Sequence, residues 1–136
     1  MKKAYKLKCF LCEKEHDEQE SATTCTSCHG PLETYYNYDL IAQKLNTYAL
    51  KTAPISALKY MALYPIDDFK NIVSLEEGGT PLIHAKNLGK KLGLNNLYIK
   101  NEGMNPTGCF KDRGTMVEIT KAKEMGAKAI CVASTG

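Results

Sequence analysis

Two cysteine knuckles stand near the start of the chain, Cys9-Phe-Leu-Cys12 and Cys25-Thr-Ser-Cys28, with 12 residues between them. A stretch this short cannot bury enough apolar surface to hold one shape, so something must staple it. The N-terminus begins with lysines, but Lys6 and Lys8 interrupt any apolar signal-peptide core. The expected compartment is therefore the cytoplasm, where a disulfide framework is disfavoured. Two residues of tight turn put both sulfurs of a C-x-x-C on one side of the backbone, about 2.3 Å from a single metal. Two such turns converging supply four thiolates, and the expected metal is zinc, with iron in a rubredoxin-like site as the rival. Four thiolates leave no open position, so the predicted site is structural and does not activate water. His16 and His29 lie close by but are not needed as ligands.

The rest of the composition excludes several classes. Hydrophobic residues make up 43% of the 136-residue chain and charged ones 24%, which describes a globular protein rather than a disordered one. No run approaches the roughly 20 apolar residues of a membrane span, so no membrane partner is expected. Net charge is +3, with Arg113 as the single arginine. So few arginines, and an acidic stretch from Glu13 to Glu20, argue against a nucleic-acid partner. Because Lys is the background cation here, Arg113 is the more telling position, a planar fork kept where lysine is usual.

Three regions follow along the chain. Residues 1–38 form the ribbon, with Tyr5, Leu7 and Cys9 alternating as in a hairpin strand. Residues 39–70 read as a helical connector. Asp39 is expected to cap a helix bearing Leu40, Ile41, Leu45 and Tyr48, and Ser56 to cap a second that stops at Pro65. In residues 71–136, Ala85 to Leu92 reads as a helix closed by Gly93, and Leu97 to Lys100 as a strand. Asn105 to Gly108 reads as a turn, and 112–125 as a helix with Met116, Ile119, Ala122 and Met125 on one side. Ala129 to Ala133 is predicted to be a buried parallel strand, with Cys131 as a small core residue.

Strand, loop, helix and strand make a βαβ unit. Lys111 then lies after one strand and Ser134-Thr135-Gly136 after the next, at the carboxyl ends where open α/β sheets bind ligands. A helix start at that point favours anions. Thr107 and Gly108 offer donors, and Arg113 lies close enough to favour the neutral amine that Schiff-base chemistry needs.

These residues also carry a resemblance. NEGMNPTGCFKDRG, residues 101–114, resembles the lysine motif of fold-type II pyridoxal-phosphate enzymes, and within them of threonine synthases. EGGTPL at 77–82 and ASTG at 133–136 resemble two further segments of that family. The ribbon, GPLETYYNYDL and SALKYMALYP are similar to ribbon-bearing bacterial and archaeal members. The resemblance implies an α/β fold: an N-terminal zinc ribbon, then the beginning of a truncated fold-type II (tryptophan synthase β-like) domain. It implies pyridoxal 5'-phosphate on Lys111 and a structural zinc on Cys9, Cys12, Cys25 and Cys28. Ser134 and Thr135 would bind the substrate carboxylate. The implied reaction converts O-phospho-L-homoserine and water to L-threonine and phosphate, so the partner is a small amino-acid phosphate. A homodimer is one expectation for the full-length form. Asp112 and Arg113 would orient the lysine loop through hydrogen bonds and an ion pair.

Cysteate synthase, a threonine dehydratase-like lyase and a zinc-ribbon interaction module stand as alternatives. Cys109 occupies a position where the family more often has Ser, and a thiol is the weaker hydrogen-bond partner. The Asn expected after Gly136, the glycine-rich phosphate loop and the group facing the pyridine nitrogen lie outside the 136 residues. The chain is therefore expected to be an N-terminal fragment, inactive alone.

Overall fold

The computed structural model describes residues 4–17 and 23–133. Ser134, Thr135 and the acidic positions 18–20 lie outside the described residues. The first unit is a three-stranded antiparallel sheet in the order β2-β1-β3, with β1 at Tyr5–Cys9, β2 at Glu15–His16 and β3 at Leu32–Tyr36. Cys9 pairs with Leu32 and Leu7 with His16, so the sheet brings the ends of both knuckles beside one another.

The connector differs from its sequence reading in its caps. Helix α1 spans Tyr38–Lys44, and Asn37 rather than Asp39 caps it, its Oδ1 accepting from the Leu40 amide. Asp39 instead sits inside the first turn, where its charge suits the helix N-terminus. A second helix, α2 at Thr47–Thr52, is capped by Asn46. Both caps are asparagines, which compete with aspartate at this position on nearly equal terms. The segment after Ser56 is a 3-10 helix, Ala57–Leu63, and the Ser56 hydroxyl makes no cap bond. Tyr48 lies on α2 and is exposed, not on the buried face of α1.

The third region contains a two-stranded antiparallel ladder, β4 at Leu82–His84 and β5 at Tyr98–Lys100, joined through helix α3 at Lys86–Leu92. Gly93 ends α3 at φ +70°, as its position predicts. Helix α4 spans Asp112–Glu124 and buries Met116 and Thr120. The expected βαβ unit is not formed among the described residues. Residues 129–133 form no strand, with Ile130 and Val132 about half exposed and Cys131 exposed rather than buried. A parallel strand exists only where neighbours supply both its ladders and its covering faces. Here β5 takes β4 as its antiparallel partner.

The core is small and lies where the ribbon, the connector and α4 meet, with Tyr5, Ile41, Ala57, Ile66 and Met116 buried. One lysine ties these parts together. Lys121 Nζ on α4 donates to the Tyr5 hydroxyl of β1 at 2.8 Å and to Asp67 of the connector at 2.9 Å. The neighbouring Glu124 accepts from the backbone amides of Asp67 and Asp68. A groove of about 680 Å³ opens beside this junction, lined by Tyr5, Ile41, Leu45, Met61, Ile66 and Phe69.

Candidate functional site

The two knuckles are built alike. Each first cysteine receives the amide four residues on: Glu13 N to Cys9 O at 3.0 Å, and His29 N to Cys25 O at 2.9 Å. Each first cysteine also donates its own amide five residues on, to Lys14 O and to Gly30 O. Both closing residues, Glu13 and His29, hold φ of 59°. This left-handed step is uncommon outside glycine and turns the chain sharply enough to aim both sulfurs inward. Gly30 follows because a Cβ there would meet Leu11 and Cys9 Sγ.

The result is a cluster of Cys9, Cys12, Cys25 and Cys28 with all four sulfurs within 4.8 Å of one another. Cys9 and Cys28 approach to 3.5 Å, as do Cys12 and Cys25. A tetrahedral ion at about 2.3 Å from each sulfur would set edges of about 3.8 Å, so the quartet fits such an ion. Its electrostatics point the same way. Burial resists ionisation of Cys25, but the amides of Ser27 and Cys28, with His16, hold its thiol down to about 5. Cys28 accepts from the Gly30 amide, yet its proximity to Cys9 and Cys12 pushes it up to about 12. Four sulfurs this close cannot share their negative charge without a cation. Lys14 adds a hydrogen-bonded tie between the knuckles, donating to Ser27 at 2.8 Å and Thr26 at 3.2 Å.

The lysine loop is built differently, from groups that satisfy one another. Arg113 grips Glu102 with both edges of its fork, Nε to Oε2 at 2.6 Å and Nη2 to Oε1 at 2.8 Å. Thr80 donates to the same carboxylate, and Asn105 Nδ2 reaches its Oε2 at 3.0 Å. Arg113 above all, then Thr80 and Asn105, hold the Glu102 carboxyl far below its usual range. Asn105 Oδ1 in turn accepts from the Gly78 amide at 2.9 Å. The EGGTPL segment and the lysine motif are thereby one bonded unit. Gly78 allows the close approach: its φ is +90°, and a Cβ would stand 2.4 Å from the Ala57 nitrogen. Glu77, almost fully buried, folds back on its own loop, accepting from the Ser74 hydroxyl and the Leu75 amide.

Lys111 itself is half-buried at the N-cap of α4. Nearby, Arg113 is ion-paired with Glu102. One sequence expectation is corrected: the start of α4 is not an open anion site. The amides of Asp112, Arg113 and Gly114 turn back to the carbonyls of Cys109, Phe110 and Lys111. Thr107 spends both its amide and its hydroxyl on the Asp112 carboxylate. The hydrogen bonds and the ion pair expected of Asp112 and Arg113 are present in this geometry. Glu102, Thr80 and Asn105 were not singled out from sequence, although a lone arginine signals a carboxylate partner, and Glu102 stands in the same motif. The residues present fit the aldehyde end of pyridoxal phosphate, since Lys111 offers a primary amine in a turn braced on both sides. The 680 Å³ groove is lined by other residues, from the ribbon and connector.

Residues 73–136 match the family described as pyridoxal-phosphate dependent enzyme. The threonine synthase of Methanocaldococcus jannaschii is 46% identical over 129 residues, 95% of this chain and 32% of that protein. That of Methanosarcina acetivorans is 45% identical over 132 residues, again 32% of its length. Both matches run through the cysteine knuckles and the lysine motif alike. The threonine synthase of Mycobacterium tuberculosis H37Rv is 48% identical over 77 residues, 57% of this chain. The chain spans about a third of the length of the archaeal relatives it matches. Over residues 73–136 the chain is similar to the pyridoxal-phosphate dependent enzymes, and over nearly its whole length to threonine synthases.

Proposed function

We propose that this chain supplies the cofactor lysine and a metal ribbon of a threonine synthase. The observation that carries this reading is the similarity to the two archaeal threonine synthases over nearly the whole chain. The bonding of the EGGTPL loop to the lysine motif through Glu102, Asn105 and Arg113 supports it. Pyridoxal phosphate, when bound, supplies an electron sink for carbanion chemistry on an amino acid. Lys111 Nζ would hold it and, when free, would move protons at the substrate α and β carbons. The substrate is O-phospho-L-homoserine. The Cγ–O bond to phosphate breaks, Cγ takes up a proton to become the methyl group, water adds its hydroxyl at Cβ, Cα regains its proton, and L-threonine leaves. Ser134 and Thr135 bind the substrate carboxylate. Arg113, Glu102 and Asp112 do not react; they hold the turn so that the amine stays aimed.

The ribbon, residues 1–38, holds zinc on Cys9, Cys12, Cys25 and Cys28 and serves folding rather than chemistry. Residues 39–70 connect it to the catalytic region that begins at 71. The compartment is the cytoplasm. No helix among the described residues is long and apolar enough to cross a membrane.

The test is turnover by the complete protein that carries this chain. It should release phosphate and threonine from O-phospho-L-homoserine, and Lys111→Ala should abolish this. Sulfite-dependent consumption of phosphoserine would assign cysteate synthase instead, and ammonia release from threonine a dehydratase. Elemental analysis should find one zinc per chain; iron would overturn that part.

A further inference from the structure

His16 is a buried titratable group that neither the metal ligands nor the lysine chemistry uses. It sits on β2, 6% exposed, opposite Leu7 of β1. Its Nε2 lies 3.3 Å from Cys25 Sγ, and Cys25 is itself fully buried. A metal-bound thiolate has no proton and can only accept. With a thiolate there, a hydrogen bond over this distance requires Nε2 to carry the hydrogen. The same sulfur also receives the Ser27 amide, at 3.4 Å. His16 stands outside the group of four whose ligand atoms all lie within 4.8 Å of one another, so it touches one sulfur rather than replacing any.

We infer that His16 is a positioning residue of the ribbon, its Nε2–H donating to the Cys25 sulfur to orient that ligand and spread its charge. This rests on the reading of the cluster as a zinc site. A four-thiolate zinc centre carries a net charge of −2, and each N–H aimed at a sulfur offsets part of it. The imidazole is itself buried, beside a cysteine that is fully buried. Partners of this kind commonly change metal affinity by about 10- to 100-fold when removed.

The experiment uses the complete protein that carries this chain, loaded with zinc. Chelator competition should show His16→Phe, which keeps the ring and loses the donor, binding zinc about 10- to 100-fold more weakly than the parent. His16→Gln, which restores an N–H, should recover most of the loss. Alkylation of Cys25 in the zinc-loaded chain should be faster in His16→Phe. A measurement on the parent chain guards against a variant that fails to fold. With ¹¹³Cd in place of zinc, a scalar correlation between the metal and the His16 Hε2 proton should be seen, carried across the hydrogen bond. Unchanged affinity in His16→Phe would overturn the inference, as would a bare or metal-bound Nε2. If the parent chain binds neither zinc nor cadmium, the zinc reading itself fails.

Discussion

The ribbon and the lysine loop solve the same problem, how to hold a functional group still with very little core, in opposite ways. In the ribbon the backbone turns aim four acceptors of one sign at a common point. Such an arrangement is stable only when a cation completes it. In the lysine loop the charges are met within the chain: Arg113 by the Glu102 carboxylate, and Asp112 by hydrogen bonds from Thr107. One region is held from its centre and the other by its rim. The ribbon should therefore answer to metal, and the loop to the integrity of side chains up to 33 residues apart in sequence.

The largest effect should come from metal. Zinc in a four-thiolate site contributes on the order of 10 kcal/mol to the folding of its segment. Chelation, or Cys25→Ser, should abolish the amide dispersion of residues 4–36 in NMR spectra. It should leave that of 101–124 largely in place. Loss of both together would break the comparison.

Next is Gly78→Ala. The substitution puts a Cβ on a backbone at φ +90° and 2.4 Å from the Ala57 nitrogen. Strain and overlap together should cost about 2–4 kcal/mol. Urea unfolding followed through the 77–114 region would measure it, and the ribbon's zinc affinity should not change.

Acid should separate the two regions in a definite order. Glu102 has its carboxyl depressed by Arg113. Its contribution is thus fully present above the ordinary carboxylate value and is lost only as pH falls through the lower folded value. Thiolates must be deprotonated to bind, so zinc leaves the ribbon as they take up protons. A titration followed by NMR should show zinc release first and loosening of the Glu102–Arg113 pair only in stronger acid. The reverse order would contradict the account.

The smallest effect should be Lys121→Met. Burial works against its charge, but the Tyr5 hydroxyl and the Asp67 and Glu124 carboxylates hold it protonated. The ammonium is partly exposed, so the loss should be about 1 kcal/mol or less, a few degrees in Tm. Its value lies in location, since it is the bond between the ribbon strand and the helix that starts at Lys111.

Much of this was legible in residue order. The knuckles were, because C-x-x-C encodes its own turn. Gly93 was, because a helix needs a left-handed exit. The segments that matter around Lys111 were also visible, though not how they bond. That Asn105 reaches back to Gly78, and Arg113 to Thr80 as well as Glu102, depends on a fold that brings together residues 27 and 33 positions apart. No period or cap encodes such pairs. The parallel strand at 129–133 failed for a related reason. An apolar run says that a segment can be buried in a sheet, while its partners decide whether it is.

Lys111 is proposed as the cofactor lysine, in a turn braced by Arg113 and Glu102. The direct measurement is borohydride reduction of the complete protein with pyridoxal phosphate, followed by peptide mass spectrometry. The account predicts a pyridoxyl group on Lys111, with markedly less of it in Arg113→Lys. A pyridoxyl group on any other of the chain's lysines, or none anywhere in 1–136, would contradict it.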